Sequence, residues 1–217
     1  MSVIIDHKHP KSVAARRLLG KNRYNGAYFY SVEIGKYFIP TIETDRNWIT
    51  IRAGEEGIGH SIVFVHDICK YMEKYAYLRK YDDVVYVACL PEIADALSEY
   101  GKTILLPLSV DTEYVSKFRC EKDRDVAFVG RTEWRREVEF PGGTDFIEML
   151  PRDELLSEMA RYRRVYAESR TAIEARVLGC EVIPYHPNFR DRDLWHVLDS
   201  RDAARMLQEE LDRIDGR

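Results

Sequence analysis

The sequence predicts an α/β protein made of two small domains, each built around a parallel sheet. Short apolar runs alternate with helical segments in two parts of the chain, residues 61–106 and 125–183. Alternation of strand and helix favours parallel strands joined by helical crossovers. A polar and charged stretch between the two parts contains no long apolar run, as expected of a crossover between domains. We therefore expect an N-terminal domain, a crossover, a C-terminal domain and a C-terminal helical segment, over residues 1–112, 113–124, 125–190 and 191–217.

The composition is typical of a folded globular protein. The chain has 217 residues, of which 45% are hydrophobic and 12% aromatic, which is enough to bury a core. Charged residues make up 32% and the formal net charge is −4, so the overall charge does not indicate a nucleic acid or an anionic membrane as partner. No stretch approaches the roughly 18 apolar residues of a membrane span. The four cysteines form no Cys-x-x-Cys pair, which indicates neither a zinc site nor a redox motif. We expect a cytoplasmic protein.

The N-terminal part is predicted to contain short strands before the regular alternation begins. Ala27–Val32, Tyr37–Pro40 and Trp48–Ile51 are aromatic and β-branched, and the first two could pair as a hairpin. The segment 54–59 is rich in glycine but acidic, so it fits a flexible loop better than a phosphate cradle.

The continuous apolar run Ser61–Val65 predicts a parallel strand that is covered on both faces. His66 and Asp67 follow it directly. Because ligands bind at the carboxyl ends of the strands in open α/β sheets, His66 is a candidate functional residue. The alternative is that Asp67 only caps the next helix. The elements expected after it are a helix, a strand, a helix and a strand, over Ile68–Arg79, Val84–Ala88, Pro91–Tyr100 and Thr103–Leu106.

The C-terminal part repeats the strand and helix alternation. Strands are expected over Asp125–Gly130, which places Arg131 at the C-terminal edge of the sheet, and over Phe146–Met149, and a helix begins around Pro151. Asp202–Ile214 carries a single apolar stripe at helical spacing, so this terminal helix must dock on another surface, which we expect to be the N-terminal domain. The stripe consists of Ala203, Met206, Leu207, Leu211 and Ile214.

A strand, loop, helix and strand are predicted over Val165–Tyr185, with the helix ending at Gly179. The loop brings Ser169, Arg170 and Thr171 to the N-terminus of that helix. Free backbone N–H groups and the helix dipole favour an anion such as a phosphate at this position. The unit therefore predicts an anion site.

Three segments in order resemble the nucleotide-sugar-dependent glycosyltransferases of the GT-B fold, in their retaining branch. They are Leu105–Asp111 (LLPLSVD), Val126–Arg131 (VAFVGR) and Glu168–Ile183 (ESRTAIEARVLGCEVI). In that family a strand ends in a proline, a small loop and Val-Asp before the crossover. The second domain opens with a strand ending in Val-Gly-Arg, and the donor loop leads into a helix of the form Glu-Ala-x-x-x-Gly. The resemblance covers about residues 61–190 and implies two small Rossmann-like domains that face each other across a cleft.

The resemblance also implies roles for individual residues. Arg131 would stabilise the charge that develops on the leaving diphosphate. Glu168 would face the transferred sugar and His66 would lie across the cleft, so these three are the candidate catalytic residues. The ribose hydroxyls would be bound by Glu174. The donor phosphates would be bound by Ser169, Arg170, Thr171 and Arg136.

The implied activity is transfer of a sugar from a nucleotide diphosphate sugar such as a UDP-sugar. It needs no cofactor and no metal, and the resemblance to one branch implies a retaining outcome. The acceptor is not indicated, and a glycan, a lipid-linked sugar, a small molecule, a protein or a modified base all fit. The N-terminal half is shorter than is usual in the family, Glu168 and Glu174 are two residues closer together, and Glu181 replaces a common proline. The alternative is therefore a non-catalytic module that binds a nucleotide or nucleotide sugar.

Two further alternatives depend on short motifs. Thr171 and Glu174 have the spacing of a capping box, in which both side chains only satisfy backbone amides of the helix. Asp123–Asp125 and Asp191–Asp193 have the Asp-x-Asp form that holds a divalent metal on a diphosphate in another class of glycosyltransferase. Neither of these directly follows an apolar strand, which disfavours the metal interpretation.

Overall fold

The computed structural model describes residues 32–51, 60–65, 83–130, 138–148, 150–185 and 194–217. Within these residues the strands form two four-stranded parallel sheets, so the prediction of an α/β protein with parallel sheets is confirmed. The chain divides into two compact units. The first contains the described residues of 32–108 and 200–217, and the second contains those of 109–199.

The first unit contains β1 Asn47–Ile51, β2 Ser61–Val65, β3 Val84–Ala88, α1 Pro91–Ser98 and β4 Lys102–Leu105. Its strands form a parallel sheet with the order β1-β2-β3-β4. Every side chain of β2 and β3 is buried, as expected for the two central strands of a parallel sheet. Helix α1 begins with a proline in its first turn and buries Ile93 and Leu97.

The predicted strand over Tyr37–Pro40 is wrong, because Ile34–Phe38 forms a short π-helix. Ile34 and Phe38 are 1% and 0% exposed, so packing of this turn into the core outweighs the strand preference of its aromatic residues. The predicted strand Ala27–Val32 lies almost entirely outside the described residues, and the predicted helix Ile68–Arg79 lies wholly outside them.

The C-terminal helix α5 (Ser200–Asp215) belongs to the first unit, where it contacts the π-helix and β4. Of its predicted apolar stripe, Ala203, Leu207 and Leu211 are buried, together with Ala204, whereas Met206 is exposed and Ile214 is half-buried. Polar contacts hold both ends, since the Ser200 hydroxyl donates to Glu33 at 2.9 Å and Arg46 donates to Asp215 at 3.3 Å. The amphipathic pattern is therefore explained by docking on this sheet unit.

The second unit consists of α2 Thr112–Ser116, β5 Arg124–Val129, β6 Asp145–Ile147, α3 Arg152–Met159, β7 Tyr162–Tyr166, α4 Ser169–Val177 and β8 Glu181–Ile183. Its strands form a parallel sheet with the order β6-β5-β7-β8. Strand β7 begins three residues before the apolar pair Val165–Tyr166, since Tyr162 already pairs with Arg124 on β5.

A lysine joins the C-terminal ends of α3 and α4. The Lys122 ammonium donates to the carbonyls of Ala160 and Leu178 at 2.6 and 2.9 Å, and to the Cys180 sulfur at 3.3 Å. Ala160 and Leu178 are the C-cap residues of the two helices, so a cation lies at both negative dipole ends. Burial raises the pKa of the Cys180 thiol, which makes it a structural neighbour and a poor nucleophile.

Candidate functional site

The candidate site is the turn between β7 and α4. Only Ala167 and Glu168 separate the last residue of β7 from Ser169, the first residue of the helix. Because all strands of this sheet are parallel, the turn lies at their carboxyl edge, where ligands bind in open α/β sheets. Ser169 has a φ of 57°, in the left-handed region that non-glycine residues rarely adopt. Such strain is of the order of 1–2 kcal/mol and is concentrated at functional sites.

Glu168 fixes this turn to the segment that follows β8. It is the N-cap residue of α4, but its carboxylate does not cap the helix. One oxygen accepts the backbone N–H of Tyr185 and the other accepts the indole N–H of Trp195, each at 2.6 Å. All three residues are less than 10% exposed. The carboxylate therefore holds the loop in place, and its predicted position facing the sugar stays a prediction.

A buried cluster of three charged side chains lies on two neighbouring helices, on the first turn of α3 and the first two turns of α4. Arg170 on α4 donates through Nε to Oε1 of Glu174 at 2.7 Å, and Nη1 of Arg152 on α3 is also 2.7 Å from that oxygen. Nη1 of Arg170 further donates to the carbonyl of Ser109 at 3.4 Å. Glu174 is only 2% exposed. The site thus contains Arg152, a second cation that the sequence analysis missed.

No sequence signal indicates Arg152, because it lies outside the three family-like segments and 18 residues before Arg170 by the numbering. Only the parallel topology brings it there, since α3 and α4 both begin at the carboxyl edge of the same sheet. The cluster is bordered by the short helix α2. The Arg152 guanidinium lies 5.9 Å from the ring centre of Tyr114, whose hydroxyl donates to Asp153. Burial, with help from Asp153, raises the pKa of Tyr114 to about 12.

The capping-box interpretation of Thr171 and Glu174 is wrong. It requires Thr171 to be the N-cap residue, whereas the N-cap is Glu168, three residues earlier. Thr171 is therefore the third residue of the helix, and the Glu174 carboxylate binds arginines in place of a backbone amide.

The end of β5 depends on the glycine of the Val-Gly-Arg segment. A Cβ atom on Gly130 would lie 2.7 Å from Cζ of Phe128 and 2.8 Å from the Tyr185 hydroxyl oxygen, closer than such atoms can approach. Phe128 and Tyr185 pack edge to face with ring centres 5.0 Å apart. The glycine is thus required for packing at the same edge where Glu168 binds Tyr185. The predicted site residues His66, Arg131 and Arg136 lie outside the described residues.

One of the two Asp-x-Asp segments, Asp123–Asp125, lies among the described residues. Asp123 pairs with Arg161 and Asp125 with Arg164, each at 2.7 Å, at the start of β5 and so at the edge opposite the candidate site. Each carboxylate is engaged by an arginine, which disfavours a metal there. The described part of the chain contains no group of three His, Cys, Asp or Glu side chains that could hold a metal ion. The segment Asp191–Asp193 lies outside it.

Among the described residues, no helix has both the length and the apolar character needed to cross a bilayer. A comparison of the sequence with models of known protein families and with curated proteins finds no match. The functional conclusion therefore depends on the geometry of the β7–α4 turn and on the order of the three segments along the chain.

Proposed function

We propose that the protein is a glycosyltransferase that moves a sugar from a nucleotide diphosphate sugar to an acceptor without a catalytic metal. The observation that carries the proposal is the β7–α4 turn, where a strained serine and a buried arginine meet a helix N-terminus at the carboxyl edge of a parallel sheet. A GT-B-like arrangement of two α/β domains across a donor cleft is part of the proposal. So are a cytoplasmic location and a retaining outcome.

In this proposal the donor diphosphate binds at the N-terminus of α4. Ser169 and Thr171 supply backbone and hydroxyl donors, and Arg170 supplies positive charge. The diphosphate gains negative charge as the glycosidic bond breaks, so fixed donors and cations lower the barrier. Arg131 and Arg136, which follow β5 in the sequence, would approach the same edge of the sheet and share this role. His66, after β2 of the first unit, would act on the acceptor or on the transferred sugar.

A non-catalytic module that binds nucleotides is the second candidate. The observation that favours it is the engagement of both Glu168 oxygens by Tyr185 and Trp195, which gives this carboxylate a structural role in the loop. Such a module would keep the anion site and lack turnover.

A thermal-shift screen with nucleoside diphosphates and their sugars, with and without EDTA, tests the donor site. A ligand that binds only the folded state raises the melting temperature, because it stabilises that state by about 2.7 kcal/mol at a hundredfold excess over its Kd. We expect a rise that EDTA does not change. The absence of a rise with every nucleotide would exclude the proposal, and a rise that requires a divalent metal would favour the Asp-x-Asp alternative.

Donor hydrolysis separates the enzyme from the binding module. We expect slow release of free sugar by the wild type and loss of this turnover in Arg131→Ala. The matched control is Arg163→Ala, since Arg163 is an exposed arginine of β7. Binding without turnover in the wild type would identify the module.

A further inference from the structure

Glu174 lies between two arginines and away from solvent. A single oxygen, Oε1, is 2.7 Å from Nε of Arg170 and 2.7 Å from Nη1 of Arg152. The side chains of Glu174, Arg170 and Arg152 are 2%, 7% and 10% exposed. A carboxylate that bridges two guanidinium groups at hydrogen-bond distance brings those two cations close together, which their mutual repulsion would otherwise oppose.

The surroundings of Glu174 differ from those of a carboxylate that binds ribose hydroxyls. A carboxylate that binds ribose hydroxyls must present an oxygen to the ligand, whereas Glu174 is almost fully buried. Its Oε1 already accepts a charge-assisted hydrogen bond from Arg170 and forms an ion pair with Arg152. Arg170 is one turn before Glu174 on α4, so helix geometry fixes their pairing. Arg152 is the first residue of α3, so the carboxylate also ties the start of α3 to the second turn of α4.

We propose that Glu174 is a positioning residue, the counter-ion that holds Arg152 and Arg170 as a pair, and that Arg152 is the second cation of the diphosphate site. This inference rests on the proposed function, because it assigns residues to the donor site proposed there. Two guanidinium groups side by side match the two phosphate groups of a diphosphate, since each forms paired hydrogen bonds with phosphate oxygens. The pair therefore selects a diphosphate over a monophosphate.

The substitution Glu174→Gln separates positioning from ribose binding. Glutamine keeps the shape and an acceptor oxygen but removes the negative charge, so a bound anion becomes the counter-ion of the two arginines. Calorimetric titration measures the Kd of two probes, inorganic pyrophosphate and uridine diphosphate. Because one compensating charge is lost next to the site, we expect both probes to bind more tightly by the same factor of about ten. If Glu174 instead bound the ribose, the substitution would lower the affinity for uridine diphosphate alone and leave the affinity for pyrophosphate unchanged.

Arg152→Lys provides a second variant that keeps the charge and loses the planar fork. We expect the affinities for pyrophosphate and uridine diphosphate to fall by a common factor. This factor should be larger than the loss of affinity for uridine monophosphate. Arg163→Lys on the exposed face of β7 is the matched control and should leave all three affinities unchanged. Circular dichroism spectra check that each variant is folded, and Arg152→Lys carries the test if Glu174→Gln does not fold.

In Glu174→Gln, tighter binding of both diphosphate probes by equal factors supports the positioning role. Weaker binding of both probes, or a change confined to uridine diphosphate, overturns it. Unchanged affinities in both variants also overturn it while leaving the donor site intact. A wild type that binds neither probe removes the proposed function and the inference together.

Discussion

Replacing Gly130 by alanine should destabilise the second unit through a steric contact that can be calculated from the structure. The added methyl carbon would lie 2.7 Å from Cζ of Phe128 and 2.8 Å from the Tyr185 hydroxyl oxygen. Phe128 is 0% and Tyr185 6% exposed, and Phe128 is also held by Phe140 with ring centres 5.0 Å apart. Neither ring can move without disturbing the aromatic cluster. Overpacking of this kind costs about 1–3 kcal/mol.

Alanine also restricts the unfolded chain, which offsets the loss by about 0.4–1 kcal/mol. The matched control, Gly142→Ala, has the same effect on the unfolded chain, but no atom lies within 4 Å of its added carbon. The difference between the two variants therefore isolates the contact. We expect Gly130→Ala to be less stable than Gly142→Ala by about 1–3 kcal/mol.

Urea unfolding followed by tryptophan fluorescence measures this difference, because Trp195 is buried in the same unit as Gly130. In a thermal melt the expected gap is about 2–4 °C for each kcal/mol. Equal stability of the two alanine variants would refute the close approach of Gly130 to the aromatic rings. The same displacement would weaken the hydrogen bond from the Tyr185 backbone N–H to Glu168. If the proposed function is correct, the affinity for a nucleoside diphosphate should therefore fall together with stability.

Two further predictions concern charged side chains. Lys122→Met should lower the free energy of unfolding by about 2 kcal/mol, because the carbonyls at two helix ends lose a charged donor. In the same urea titration, the control Lys117→Met on the exposed surface should have almost no effect. The hydrogen bond to Asp83, together with the nearby Asp45, raises the pKa of His60 above 6.5, against desolvation and the charge of Arg46. Its stabilising contribution is therefore complete below about pH 6.5 and lost as the pH rises through the folded-state pKa. The melting temperature of the wild type should exceed that of His60→Asn by more at pH 6 than at pH 8. A difference that does not depend on pH would show that protonation of His60 does not stabilise the fold.

The predictions from sequence were correct where a local pattern and the tertiary environment favour the same structure. The apolar runs at Ser61–Val65 and Val84–Ala88 form central strands because such runs are stable only when covered on both faces. Gly179 ends the helix region as expected, with a φ of 81° that suits glycine. Ala203, Leu207 and Leu211 of the predicted stripe on α5 are buried, because their spacing follows the helical period, whereas Met206 at the edge of the stripe is exposed.

The errors lie where packing outweighs local preference. Tyr37 and Phe38 favour a strand by residue type, but they form part of a π-helix. In that conformation Ile34 and Phe38 are both buried in the core. Thr171 and Glu174 have the spacing of a capping box, but the helix begins at Ser169 because Glu168 is held outside it by Tyr185 and Trp195. A short motif records spacing only and does not specify where a helix begins.

The parallel α/β architecture and the position of the turn before α4 follow from the sequence alone, because the alternation and periodicity of its apolar residues specify both. The partners of the charged groups near that turn depend on the tertiary structure. Arg152 reaches Glu174 from another helix, and Trp195 reaches Glu168 from beyond β8. Hydrogen bonds and ion pairs act over a few ångströms, whereas these partners are 22 and 27 residues apart in the chain, so only folding brings them together.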